Sequence, residues 1–360
     1  MRENNIDAIC LAGGTSLDYF TKVRWGDSER LLALVIPQKG DPFWIVPAFE
    51  EDRAREQIST GPLASEAHVL AWQEDESPYT KVAFGLRERG IATGRIGIEE
   101  TVKFVFADGI AKAAPQSKIV SATPVTAGCR SIKSPAEIAL MRLASSITLE
   151  ACKAAHSKLR EGMSPQDFAA LISGAHQQLG FRGGAMVLAN EASALPHGST
   201  KPQTIHERSV VLIDGGCVVE GYESDISRTF TLAKPAEKMK RVFDVVHAAQ
   251  RAALKAARPG VSCGAVDAAA RRLIEDAGWG PGYKYFTHRV GHGLGMDGHE
   301  WPYLVKGNPL PLAPHMTFSD EPGIYIRGEF GVRLEDDLHI TEDAAELMTP
   351  QSASLEQPFG

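Results

Sequence analysis

No apolar run in the chain reaches the roughly 20 residues that cross a bilayer, so a membrane-spanning helix is not expected. Basic blocks are missing as well, and the formal net charge is −7. That balance reads as plain solubility and excludes nucleic acid and anionic membrane surfaces as expected partners. Cysteine is scarce: Cys10, Cys129, Cys152, Cys217 and Cys263 are odd in number, widely separated and without a Cys-x-x-Cys pair. This argues against a disulfide framework and reads as reduced thiols in a cytoplasmic protein. The start, Met1-Arg2-Glu3-Asn4-Asn5, carries both signs of charge with no long apolar run after it, so no secretory signal is expected. Gly-x-Ser-x-Gly does not occur, and Gly291-His292-Gly293-Leu294-Gly295 has the wrong spacing for a dinucleotide loop. His299-Glu300-Trp301-Pro302-Tyr303 begins like a zinc-protease helix, but the second histidine is absent and Pro302 breaks the helix. There is no fixed-period repeat and no low-complexity segment.

What remains is ordinary soluble material, 43% hydrophobic and 23% charged over 360 residues, long enough for two domains. Residues 1–128 alternate strand-like runs (7–11, 30–36, 43–46 and 95–99) with helical ones (50–58 and 77–89), the pattern of an α/β domain. The periodicity lapses over 124–133, which sets the expected boundary of a second domain at 129–360. Ser134, Pro135 and Glu137 then form a helix start with a capping box, and Ser164-Pro165-Gln166-Asp167 repeats it. His156, on the first helix, reads as a packed histidine. Cys217 reads as a small buried core residue. Strands are expected over 210–214 and 227–232, helices over 236–257 and 265–278, and two further strands near Glu321 and Glu335.

Between Val210 and Glu335 stand five potential metal ligands, each in an unusual local sequence. They are Asp214 in Asp-Gly-Gly, Asp225 in Ser-Asp-Ile-Ser-Arg-Thr, His292 in Gly-His-Gly, Glu321 in Asp-Glu-Pro-Gly, and Glu335 in Arg-Leu-Glu-Asp. Asp214 and Asp225 could face each other across neighbouring strands. Four carboxylates in one pocket repel unless cations sit between them, and two divalent ions would balance them. That count points to a two-metal hydrolytic site, and the oxygen-rich donors suit Mn²⁺ or Co²⁺.

The order of these motifs, with His299 seven residues after His292, resembles the metallopeptidase family of methionine aminopeptidase, Xaa-Pro aminopeptidase and prolidase, over about residues 131–349. The resemblance implies an α+β architecture: a pita-bread catalytic domain, a curved antiparallel sheet backed by helices, after a smaller α/β domain of the creatinase/prolidase type. It implies two divalent ions per subunit, Mn²⁺ or else Co²⁺ or Zn²⁺. Asp214 would chelate one ion, His292 and Glu321 the other, and Asp225 and Glu335 would bridge. Glu321 would shuttle the proton, His197 and His299 would face the substrate, and Arg333 would orient carboxylates or hold substrate.

The amino-terminal domain points to the prolidase, Xaa-Pro aminopeptidase and creatinase branch, and the intact ligands argue against creatinase-like chemistry. The expected activity is Xaa-Pro dipeptidase, with Xaa-Pro aminopeptidase as the alternative, acting on proline-containing dipeptides or short peptides as a homodimer. Several prolidases carry an arginine four residues after the histidine matching His299, and this chain has Tyr303 there. Arg327, Lys306 or a partner subunit's residue remain as substitutes. Asp320, beside Glu321, has no assigned role.

Overall fold

Period-two alternation in the first third of the chain makes a sheet with two apolar faces, which must therefore be covered on both sides. The computed structural model describes residues 1–64 and 68–359, in two compact units, Met1–Arg130 and Ser131–Gly360. The first unit runs β1 (Ala8–Ala12), α1 (Thr15–Thr21), β2 (Ala33–Pro37), β3 (Phe43–Pro47), α2 (Glu51–Thr60), β4 (His68–Trp72), α3 (Pro78–Glu88), β5 (Arg95–Ile98), α4 (Phe104–Ala113), β6 (Lys118–Ser121) and α5 (Thr123–Arg130). Its mixed sheet has the order β4-β3-β2-β1-β5-β6. Cys10, Val35, Phe43 and Ile45 are buried in the core on one face, and Ile9, Leu34, Trp44 and Val46 in the core on the other. Residues 124–133, expected to be aperiodic, instead carry most of α5. Pro124 stands in its first turn, where a missing N–H costs nothing.

The second unit opens with α6 (Pro135–His156) and α7 (Pro165–Gln178), both started by complete capping boxes, Ser134 with Glu137 and Ser164 with Asp167. Next come β7 (Arg182–Ala189), β8 (Val210–Val219), β9 (Tyr222–Glu223), β10 (Ile226–Thr231), α8 (Glu237–Ala256) and α9 (Cys263–Asp276). The helix α9 begins two residues earlier than expected because the Ser262 side chain caps it. The chain ends in short strands: β11 (Gly291–Gly293), β12 (Glu300–Leu304), β13 (Thr317–Asp320), β14 (Gly323–Ile326), β15 (Phe330–Arg333), β16 (Asp336–Ile340) and β17 (Ala345–Leu347).

All strand pairs of this unit are antiparallel, in sheets ordered β10-β8-β7 with β9 on β8, β12-β11-β13-β16-β17, and β14-β15. The pair α6 and α7 backs the first sheet, burying Cys152, Phe168 and Ile172 with Val211, Ile213 and Phe230. The pair α8 and α9 backs the others, burying Val246, Ala253, Val266 and Ala270 with Phe318, Val332 and Leu338. An α/β unit followed by a helix-backed antiparallel unit is the α+β arrangement implied by the resemblance. His156 packs edge-on against Phe230, ring centroids 4.7 Å apart, and Cys217 is buried beside Ala144 and Ile147, both as read from the sequence. Among the described residues no helix is long and apolar enough to cross a membrane, and all five cysteines are free.

Candidate metal centre

The five ligand candidates converge where strands bend or break. Asp214 lies within β8, and His292 is the middle residue of β11. Glu321 and Glu335 are not inside strands, as expected from sequence, but in the breaks between β13 and β14 and between β15 and β16. A regular strand would send neighbouring side chains to opposite faces, and a break frees them to turn inward. Asp225 precedes β10 by one residue. The register sets Ser227, not Asp225, opposite Asp214, so the two aspartates are diagonal neighbours on the same face.

The ring Nε2 of His292 lies 3.4 Å from Glu321 Oε1 and 3.7 Å from Asp225 Oδ2. Ligand atoms of Asp214, Asp225 and Glu335 fall within 4.8 Å of one another, and so do those of His292, Glu321 and Glu335. The two triads share Glu335. A carboxylate-rich set with one imidazole fits hard or borderline divalent cations.

The metal-free electrostatics favour a cation as well. Burial, then Glu335 and Asp214, push the Asp225 carboxyl well above the usual range. Burial and Glu335 do the same to Glu321. Burial and Asp214 raise Glu335 to about 7. Burial, then His299, pushes His292 down to about 3, so its ring is a neutral donor. Positive charge between these groups relieves the penalty on all three carboxylates and meets an imidazole that is already unprotonated.

A second ring of contacts fixes the ligands. Ser227 Oγ donates to Glu335 Oε2 at 2.6 Å and accepts from Arg333 Nε at 3.0 Å. Arg333 is buried and also pairs with Asp214, Pro196 O (3.2 Å) and Tyr325 Oη (3.3 Å). Of its two suggested roles, the geometry favours orienting carboxylates, because four of its five N–H groups are engaged with protein acceptors. The Asp225 amide donates to Asp337 Oδ2 at 3.1 Å, and Arg228 Nη1 donates to the Glu335 carbonyl at 2.7 Å. The strand β11 passes so close to β13 that a Cβ on Gly291 would meet the Ser319 carbonyl. The same approach lets the His292 amide donate to Ser319 Oγ at 3.1 Å.

His299 stacks on His292 at 3.7 Å between ring centroids, and its Nδ1 lies 3.3 Å from Arg289 Nη2. Partial burial, then Arg289, hold its pKa below the ordinary imidazole range. His197, in the loop after β7, lines a cavity of about 270 Å³ with Met186, Leu188 and Gln203. It is near enough to His288 and His299 for its charge to disfavour a proton on either. Asp320 is fully buried with both carboxyl oxygens unpartnered among the described residues. Burial, then Asp336 and Glu335, push its carboxyl well above the usual range.

His288, Arg289 and Tyr325 also stand beside the cluster, although no motif in the sequence marks them as site residues. His288 Nδ1 lies 3.8 Å from Glu321 Oε2, and its Nε2 lies 2.7 Å from Tyr325 Oη. The available signal was the basic pair His288-Arg289 directly before Val290-Gly291-His292.

The model of metallopeptidase family M24 matches residues 139–342, and that of the creatinase/prolidase N-terminal domain matches residues 1–132. The Xaa-Pro dipeptidase of Lactobacillus delbrueckii subsp. lactis is 31% identical, across 99% of this chain and 96% of its own. Dipeptidase PepE of Mycobacterium ulcerans superposes with a TM-score of 0.92 at 31% identity, covering 99% of this chain and 94% of that one. Prolidase from Pyrococcus furiosus gives 0.81 at 27% identity, covering 97% and 98%.

Proposed function

The chain belongs to metallopeptidase family M24, in its prolidase branch, and from that premise we infer that it hydrolyses the Xaa-Pro bond of dipeptides. The observation that carries this reading is the pair of ligand triads sharing Glu335, in a chain similar along its whole length to Xaa-Pro dipeptidases. The family uses divalent metal, and the assignment to residues is ours. Asp214, Asp225 and Glu335 would hold one ion, and His292 and Glu321 with Glu335 would hold the other. Mn²⁺ suits these donors, as do Co²⁺ and Zn²⁺. Such ions, when bound, acidify water and polarise a carbonyl.

The remaining work falls to side chains. Glu321, the family's proton shuttle by resemblance, takes a proton from the attacking water and passes it to the leaving proline nitrogen. Because His299 Nδ1 accepts from Arg289, its ring proton sits on Nε2, an N–H donor for the developing oxyanion. The family resemblance gives His197 a place facing the substrate. Arg333 and Ser227 keep Asp214 and Glu335 aimed at the centre. The scissile amide of an Xaa-Pro substrate has no N–H, so the substrate must be held elsewhere. The family resemblance further supports a homodimer, and the free thiols are compatible with a cytoplasmic setting.

The test is hydrolysis of Leu-Pro and Leu-Pro-Ala by chelator-treated protein, before and after adding Mn²⁺. Leu-Pro should be cleaved only with the metal restored, and the tripeptide poorly. Comparable cleavage of Leu-Pro-Ala would reassign the chain as an Xaa-Pro aminopeptidase. No cleavage of either peptide would overturn the reading.

A further inference from the structure

A dipeptidase must recognise the free carboxylate that ends its substrate, and Tyr303 leaves the usual cation missing. Arg327 is exposed in the turn between β14 and β15, and Lys306 is exposed beyond β12. No contact among the described residues ties either to the metal cluster. Arg333 is buried with four of its five N–H groups engaged. Arg289 differs from all three. Its guanidinium lies over the Tyr303 ring, 4.0 Å from the centroid, and Nη2 reaches His299 Nδ1 at 3.3 Å. No carboxylate lies within ion-pair distance of it among the described residues, although it is half-buried beside the metal centre.

We propose that Arg289, seated on Tyr303, binds the carboxylate of the Xaa-Pro dipeptide and so selects dipeptides over longer chains; this rests on the Xaa-Pro reading above. Stacking on a ring holds the guanidinium flat and leaves the N–H groups along its edge free for a carboxylate fork. Its backbone is fixed on both sides. The His288 carbonyl accepts from Arg271 Nη2 at 2.7 Å, and the Val290 amide donates to Asp267 Oδ1 at 3.1 Å. The reach is also suitable. A proline carboxylate carbon is three bonds, about 3 Å, from the scissile carbonyl carbon at proline's fixed φ, and Arg289 is separated from the ligand candidate His292 by the stacked ring of His299 alone. One further residue moves the carboxylate outward by about 3.5 Å, beyond this seat. Tyr303 is therefore the platform for a cation supplied by another position.

The experiment compares kcat/KM for Leu-Pro and Leu-Pro amide, which lacks the carboxylate, in the Mn²⁺-loaded wild type and in Arg289→Gln, Arg289→Lys and Tyr303→Leu. A lost charge-assisted pair predicts that Arg289→Gln lowers kcat/KM on Leu-Pro by about 10- to 100-fold, mainly through KM. Part of the loss, in kcat, should be common to the amide because His299 loses its Arg289 donor, and beyond that common part the preference for Leu-Pro over its amide should collapse. Arg289→Lys should recover part of that preference, and Tyr303→Leu should weaken it by less. Equal losses on both substrates, or an unchanged preference in Arg289→Gln, would overturn the assignment while leaving Xaa-Pro hydrolysis standing. A wild type that cleaves no Xaa-Pro substrate would remove the premise, and the proposal with it.

Discussion

Ser227 shows how much of this centre depends on an ordinary side chain. Its hydroxyl stands between Glu335 and Arg333, donating to one and accepting from the other, and it occupies the strand position opposite Asp214. Removing it leaves the Glu335 carboxylate free to turn and Arg333 Nε without its acceptor. Support of this kind is worth about 10- to 100-fold in metal affinity or activity, so Ser227→Ala should weaken Mn²⁺ binding by that factor with little change in melting temperature. An unchanged Mn²⁺ titration would show that Arg333 alone suffices to hold the carboxylates. The five side chains that converge here were legible in the sequence as ligand candidates because each sits in a short run of glycines, prolines and charges that has few other uses. Ser227, Arg228 and Arg289 were not. A serine or arginine two or three residues from a ligand looks like any other until the register and the ring stacking place it.

The segment that delivers His292 is a loop and a three-residue strand, and α9 supplies its rigidity. Asp267 and Arg271, one turn apart on that helix, form a buried bidentate pair. Arg271 then donates to the carbonyls of Gly282, Phe286 and His288, and Asp267 accepts from the Val290 amide. Truncating Asp267 to alanine leaves a buried guanidinium without its counter-charge, a change that costs about 3 kcal/mol or more. Urea denaturation of Asp267→Ala should register this loss, together with weaker Mn²⁺ binding as His292 drifts. A loss under about 1 kcal/mol would mean that the carbonyls neutralise Arg271 well enough without Asp267. Elements with local signals were readable: both capping boxes and the turn over 37–42 announced themselves. The strand β4, the helix α4 and the strand β6 escaped, because short runs with partly exposed residues carry little periodicity. The helix α5 was obscured by Pro124 and Gly128, which resemble breakers but are tolerated within it.

Across the whole folded chain, the acids of this centre make stability depend jointly on metal and pH. Glu335 titrates near 4.5 in its ordinary state and at about 7 in the metal-free fold. Between those values the fold holds a proton that the unfolded chain has released, so stability falls as pH rises through that window. Asp225 and Glu321, also raised, act in the same direction. His288 and His292, both pushed down to about 3 from 6.5, oppose them: below pH 6.5 the unfolded chain binds protons that the folded rings refuse, and stability there rises with pH. The unfolded histidines are still half protonated at pH 6.5, so their gain runs on to about pH 8 and the pair adds about 1 kcal/mol over that interval. From pH 6.5 to 8, Glu335 alone costs the metal-free fold about 1 kcal/mol. Cations between the carboxylates cancel this repulsion and compete with fewer protons as pH rises. Mn²⁺ should therefore raise the melting temperature more at pH 8 than at pH 6.5, while the melting temperature of the chelated protein changes little between them. Thermal scans of chelated and Mn²⁺-loaded protein at both pH values test this. A stabilisation by Mn²⁺ that is equal at the two, or greater at pH 6.5, would mean that the four carboxylates do not share one electrostatic pocket.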